Sequence, residues 1–325
     1  MIYQRSPDYR SRQGIRHGCP EANHMIRTEN LTKVYNGVRA VDSVSLNVGK
    51  GEVFGFLGPN GSGKTTTIGM IVGLIEPSEG KCFINDVEVT RNPLQAKKIT
   101  GYLPDGIGFY PTLTARQNLK YFSKFYGLSD AEADRRIDEL LEYVGLKGVT
   151  TQTGGFSRGM RQRLGLAQAL INDPQVLFMD EPTNGLDPQG VVQFRHIISD
   201  LAGKGKTIFF SSHILSEVQL VCKNIGVISK GKLIASGTTD EVKRKLQKDD
   251  LVTIVVKVPG KLPELKTPGI VEASYNCSTA TIRARTDIRD EISDELFRQG
   301  LHVSELKVVE PSLEDVFLET VYGSA

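Results

Sequence analysis

One stretch limits what this chain can fold into more than any other: Gly58-Pro59-Asn60-Gly61-Ser62-Gly63-Lys64-Thr65. It has the form G-x-x-x-x-G-K-S/T, follows the strand-like run Glu52 to Leu57, and opens a helix-like run from Lys64 to Leu74. Glycines let successive backbone N–H groups turn inward, so such a loop forms a nest for phosphate oxygens. The helix that follows aims the positive end of its dipole at the same point. Lys64 is placed to meet the β- and γ-phosphates, and the hydroxyl of Thr65, followed by Thr66, is placed to reach Mg²⁺. The pattern predicts a nucleotide site on a strand-turn-helix unit.

A second half of the site is written at Val176-Leu177-Phe178-Met179-Asp180-Glu181. A buried parallel strand reads as such an apolar run, with its acids emerging at the C-terminal edge. Asp180 is then placed to hold Mg²⁺. Glu181 can face the γ-phosphate as general base for an attacking water. The doubled acid favours hydrolysis over a kinase or a switch GTPase.

Around these motifs the apolar spacing alternates between strand and helix periods. Ile26 to Thr28, Val44 to Val48, Thr207 to Phe210 and Ile225 to Ile228 read as strands. Leu119, Phe122 and Tyr126 mark one helix, and Ile137, Leu140, Leu141 and Val144 the next. The second opens with Ser129 and Glu132 in capping-box spacing and stops at Gly145. This alternation predicts an α/β domain with a largely parallel sheet. Beyond a charged joint at Gln247 to Asp250, strands are expected at Leu251 to Val258, Thr279 to Arg285 and Leu301 to Val309. A helix bears Ile288, Ile292 and Leu296, and Ser312 caps a last one with Leu313, Phe317 and Val321. The expected division is a disordered tail over 1–24, a nucleotide-binding domain over 25–248, and a small α+β domain over 249–325.

Composition excludes several classes. In 325 residues, 39% hydrophobic and 24% charged is globular usage. Forty basic residues face 38 acidic ones, and Arg5, Arg10, Arg12 and Arg16 fall in the tail, so no nucleic-acid partner is expected. Cys19, Cys82, Cys222 and Cys277 are far apart, which opposes a zinc site or a disulfide framework. The longest apolar run, Ile68 to Ile75, is far short of the roughly 20 residues a bilayer needs, although docking on a membrane protein stays possible.

Between the two nucleotide motifs lies Phe156-Ser157-Arg158-Gly159-Met160-Arg161-Gln162-Arg163, opening a helix with Met160, Leu164, Ala167 and Leu170 on one face. With this element in place, the chain from about Leu31 to Thr238 resembles the ATPase subunit of an ABC transporter, a P-loop NTPase with a helical subdomain. Tyr35 stands where that family has an adenine-stacking ring, and Phe156 to Met160 where it has the L-S-G-G-Q signature. Asn184-Gly185-Leu186-Asp187 resembles the D-loop, and Ser211-Ser212-His213 the strand end bearing the switch histidine. The resemblance implies two copies set head to tail with two ATP molecules between them. Each ATP would meet Lys64, Asp180, Glu181 and His213 of one copy, and Ser157 and Gly159 of the other. It also implies a separate transmembrane permease and a place at the cytoplasmic face of the membrane.

Three positions depart from the family pattern. Asp105 follows Tyr102-Leu103-Pro104 where the family usually has Gln; a carboxylate can bind Mg²⁺ beside the ATP but cannot donate a hydrogen bond. Arg158 and Met160 replace Gly and Gln of the signature. The resemblance gives the helices of residues 114–145, with the Asp105 loop, a docking role on the permease. Phe109, Tyr110, Phe122, Phe125 and Tyr126 are candidate docking residues, about two in five expected at the surface. Glu310-Pro311-Ser312-Leu313-Glu314-Asp315-Val316-Phe317 resembles the end of export-type ATPases of drug, antibiotic, sodium or lipid carriers. The alternative is a soluble ATPase of the same fold acting on nucleic acid or ribosomes. Those relatives usually carry long coiled coils or two ATPase units, and this chain has neither. A module that binds ATP without turnover is opposed by intact Lys64, Asp180, Glu181 and His213.

Overall fold

The computed structural model describes residues 24–247, 251–309 and 312–323. The tail expected over 1–24 lies outside the described residues apart from His24, as do 248–250 of the joint and 310–311 of the terminal phrase.

The strands are β1 (His24–Tyr35), β2 (Val38–Gly49), β3 (Val53–Leu57), β4 (Glu79–Ile84), β5 (Val87–Glu88), β6 (Thr100–Leu103) and β7 (Val176–Met179). They continue as β8 (Thr207–Ser212), β9 (Asn224–Ser229), β10 (Lys232–Thr238), β11 (Val252–Lys257), β12 (Ile270–Asn276), β13 (Thr279–Ala284) and β14 (Glu305–Val309). The helices are α1 (Lys64–Ile71), α2 (Pro93–Lys98), α3 (Ala115–Ser123), α4 (Asp130–Tyr143) and α5 (Arg158–Ala169). After them come α6 (Pro188–Gly203), α7 (Leu215–Gln219), α8 (Thr239–Leu246), α9 (Arg289–Arg298) and α10 (Leu313–Tyr322).

The central sheet has the order β10-β9-β3-β8-β7-β6 and is parallel apart from β10. The early strand runs at Ile26 to Thr28 and Val44 to Val48 lie instead in a separate antiparallel sheet, β2-β1-β4-β5, whose β4 and β5 have no counterpart in the sequence reading. The reason is local: Asn36 and Gly37, at φ of 47° and 82°, form a two-residue turn that folds β2 back on β1. The central sheet buries both faces. Phe54, Phe56, Phe178 and Phe209 point to the side of the antiparallel sheet and α1. Leu57, Leu177, Met179, Ile208 and Phe210 point to the helices on the other side. Phe209 stacks on Phe54 with ring centroids 5.4 Å apart and meets Phe178 at 5.6 Å. Each such fully buried ring contributes about 1.5–3 kcal/mol of transfer free energy.

The arm of α3 and α4 is held by capping boxes at Thr114 with Gln117 and at Ser129 with Glu132. Of the five aromatic residues expected to dock, Tyr110, Phe125 and Tyr126 are exposed and Phe109 and Phe122 are half-buried. Tyr121 joins them, edge-on to Tyr110 at 5.0 Å and to Phe125 at 5.5 Å.

The C-terminal sheet, β12-β13-β11-β14, is antiparallel and includes β12, which has no counterpart in the sequence reading. With α9 it forms its own small core around Ile254, Ile282 and Ile292. The last helix belongs elsewhere. Leu313, Val316 and Phe317 of α10 are buried in the helix-side core, together with Val242 and Leu246 of α8. Ser312 and Asp315 cap α10 reciprocally. No helix among the described residues is long and apolar enough to cross a membrane.

Candidate active site

Strand order builds the site. Because β8 lies between β3 and β7, three C-terminal strand ends come together, with Leu57 opposite Ser212 and Met179 opposite Phe210. The phosphate-binding loop leaves β3, Asp180 and Glu181 leave β7, and His213 leaves β8.

The loop is shaped by contacts only glycine permits. A Cβ on Gly58 would lie 2.3 Å from the Ile228 carbonyl and 2.6 Å from Ser62 Oγ. Gly63, at φ 105°, would meet the Ala40 carbonyl of β2 at 2.6 Å. Lys64 Nζ donates to the carbonyls of Gly58 at 2.7 Å and Pro59 at 3.0 Å, and forms an ion pair with Glu181 Oε1 at 3.1 Å. The Ser62 hydroxyl is buried inside the loop without a hydrogen-bond partner among the described residues. A buried polar atom left unpaired is costly, and a phosphate oxygen is a suitable partner. Pro59 and Thr66 are half-buried, and Asn60, Gly61 and Thr65 face outward.

Glu181 is the hub. Its Oε2 lies 2.8 Å from His213 Nδ1, while its Oε1 faces Lys64. An ionised carboxylate only accepts, so Nδ1 carries the proton and Nε2 is left for another partner. Glu181 is nearly buried and stands at φ 48°, a left-handed conformation that costs a non-glycine residue about 1–3 kcal/mol. Ser211 holds that turn. Its hydroxyl accepts from the Glu181 N–H at 3.0 Å and donates to Asp180 Oδ1 at 2.6 Å. Tyr102 lies close enough to feel Asp180, and burial first, then that carboxylate and Asp105, push its phenol up to about 12.

Tyr35 ends β1 at the hairpin tip, half exposed, with the Lys33 ammonium 5.1 Å over its ring. Ser157 and Gly159 sit apart from the phosphate-binding loop. Ser157 caps α5 by accepting from the Met160 N–H at 3.2 Å, and both residues line a cleft of about 420 Å³ with Asp187, Gln193 and Phe194. Asp105 is drawn to that side as well: its Oδ1 accepts from Arg158 Nη2 at 3.4 Å. Arg158 also lies against Gly185, where a Cβ would meet its Nε at 2.7 Å. The two family departures at 105 and 158 thus form one contact. Among the described residues, no group of three or more His, Cys, Asp or Glu side chains is placed to hold a metal ion.

Sequence reasoning placed Ser211 at the strand end but missed its bonds to Asp180 and Glu181, and missed the pairing of Asp105 with Arg158. The signal for Ser211 was present, since a polar residue inside a buried strand needs a partner. The Asp105 pair spans 53 residues and has no local signature.

A phosphate nest on a central parallel strand, with carboxylates and a histidine on the two strands beyond it, defines a P-loop ATPase. Residues 41–184 match the ABC transporter family, and residues 237–321 match the C-terminal domain of DrrA1-3-like ATP-binding proteins. The chain belongs to the ABC transporter family as one of its DrrA-like ATP-binding subunits. It is 37% identical over 311 residues to the bacitracin transport ATP-binding protein BcrA of Bacillus licheniformis, covering 92% of this chain and 98% of that one. It is 34% identical over 303 residues to the linearmycin resistance ATP-binding protein LnrL of Bacillus subtilis, covering 90% and 97%. A solved ATP-binding subunit of an ABC transporter superposes with a TM-score of 0.63 at 31% identity, over 68% of this chain and 92% of that one. A dimeric bacterial ABC transporter cassette, MJ0796, gives 0.61 at 27% identity, over 66% and 98%. The chain is an ATPase whose hydrolysis drives transport, and the reading as a nucleic-acid or ribosome ATPase falls.

Proposed function

We propose that two copies of this chain clamp two Mg-ATP molecules head to tail and drive a separate membrane-spanning permease from the cytoplasmic face, exporting an antibiotic-class cargo. One observation carries the catalytic part: Glu181 is held between Lys64 Nζ at 3.1 Å and His213 Nδ1 at 2.8 Å, at the edge where three strand ends meet. A carboxylate so placed is suited to take a proton from the attacking water, with His213 fixing its direction. Lys64 and backbone N–H groups of the loop between Asn60 and Thr66 would bind the phosphates, and Tyr35 the adenine. The hard oxygens of Thr65 and Asp180 fit Mg²⁺, which binds few protein ligands and completes its shell with water and phosphate. It would neutralise charge on the phosphate oxygens.

Head-to-tail pairing is supported by the position of Ser157 and Gly159. They open α5 beside the Asp187 cleft, on a surface of their own, with the helix dipole directed outward. A second copy brings that surface to the first copy's phosphate loop. The solved relative MJ0796 is dimeric. The exposed rings Tyr110, Tyr121, Phe125 and Tyr126 are suited to an apolar segment of the permease. Residues 249–325 act as an accessory unit fastened to the ATPase through α10. The cargo class is supported by relatives named for bacitracin transport and linearmycin resistance.

The test is a pull-down of Glu181→Gln protein with Mg-ATP from gently solubilised membranes. A multi-spanning protein recovered in stoichiometric amount is expected. Recovery of ribosomal or DNA-bound proteins, or of no membrane protein, overturns the proposal.

A further inference from the structure

The loops carrying Glu181 and His213 are joined a second time, away from the reacting groups. Thr183, two residues past Glu181, donates its hydroxyl to Glu217 Oε2 at 2.5 Å. Ser212, the residue before His213, shares its hydroxyl proton between Glu217 Oε2 at 3.3 Å and the Ile214 carbonyl at 3.4 Å. The same Ser212 oxygen accepts from the Ile214 N–H at 3.0 Å. One carboxylate oxygen therefore ties the turn after β7 to the turn after β8. Bonds to an ionised acceptor are about twice as strong as neutral ones.

Glu217 is not needed to hold its own helix. The short α7 is anchored by Leu215 and Val218, both buried in the helix-side core. Val218 packs so closely on β3 that a Cβ on Gly55 would lie 2.1 Å from its Cγ1. Glu217 is thus a fixed post on an independently packed element. The turn it braces is the one that keeps Glu181 at positive φ and aims its two oxygens at Lys64 and His213.

We propose that Glu217 is a positioning residue for ATP hydrolysis, setting the separation and angle of Glu181 and His213 through Thr183 and Ser212. This rests on Glu181 as the base. Glu217 bonds to the hydroxyls of Thr183 and Ser212, whereas Ser212 meets the phosphate loop through its backbone carbonyl, which accepts from the Gly58 N–H at 3.2 Å, so loss of the brace acts on turnover more than on ATP affinity.

The test compares steady-state hydrolysis by the full chain carrying Glu217→Ala, Glu217→Gln, Thr183→Val, the Thr183→Val Glu217→Ala pair, and Glu181→Gln. A misplacement of about 1 Å costs on the order of 100-fold, so Glu217→Ala is expected to lower kcat by about 10- to 100-fold with KM for ATP within about twofold. Glu217→Gln keeps an accepting oxygen and is expected to recover to within about fivefold of the parent. In the double variant, Glu217→Ala should add less than about threefold to Thr183→Val, because contacting partners are not additive. A kcat for Glu217→Ala within twofold of the parent overturns the proposal. So does Glu217→Gln as impaired as Glu217→Ala, or a loss divided between kcat and KM with a lowered melting temperature. Glu181→Gln hydrolysing at the parent rate overturns the base assignment, and this inference with it.

Discussion

Phe317→Ala tests whether the chain's last helix is part of the ATPase core or an appendage of the C-terminal sheet. Phe317 is 2% exposed and packs with Leu313 and Val316 into the cluster that holds Val242 and Leu246 of α8. Removing a ring from a closed site forfeits its transfer free energy and leaves a cavity, together about 3–5 kcal/mol. At about 2–4 °C per kcal/mol for a domain of this size, the melting temperature of the ATPase core should fall by roughly 10 °C. Leu318, the next residue on α10, is 48% exposed and serves as the control; Leu318→Ala should shift melting by less than about 2 °C. The assay is calorimetry of both variants, with ATP added to mark the transition of the nucleotide-binding core. Two results refute the reasoning: a core transition unmoved by Phe317→Ala, or a loss confined to a separate transition that ATP does not shift.

Other outcomes follow from the same coordinates. Tyr35→Ala should weaken ATP binding by about 1–3 kcal/mol, read by titration calorimetry, with little effect on turnover at saturation. An unchanged affinity removes Tyr35 from the site. Chelating Mg²⁺ with EDTA should abolish phosphate release; undiminished turnover contradicts the role given to Thr65 and Asp180. The Asp173 carboxyl is held below its usual range by the Lys206 ammonium and then by Arg136. Its folded value lies below the ordinary 3.8, so its contribution is complete above that pH and is lost as pH falls through the folded value. Asp173→Asn should therefore flatten the acid limb of stability below about pH 4, and an unchanged limb contradicts the pairing. The effect is small because the Asp173 side chain is largely exposed.

Contiguous patterns were legible in the sequence. The phosphate loop and the strand-end carboxylates are each coded within eight residues, and both stand on the strands their apolar runs predict. Caps at Ser129 and Ser312 likewise show at the level of spacing. Long-range choices were not legible. Nothing local says that β8 enters between β3 and β7, because any apolar run satisfies a doubly buried strand. The amphipathic pattern after Ser312 demands a buried face without saying which core receives it, and that face turns to α8. Glu217 reads as an ordinary acid in the first turn of a short helix until the fold brings Thr183 to it across 34 positions.

The central claim is that Glu181 activates water within an ATP-held pair of chains. Glutamine keeps the shape of that side chain and removes its basicity. The most direct measurement is equilibrium sedimentation of Glu181→Gln protein with saturating Mg-ATP, and with Mg-ADP as control. The account predicts twice the mass of the 35.7 kDa chain with ATP and a single chain with ADP. A single chain in both, or ATP consumed at the parent rate during the run, contradicts it.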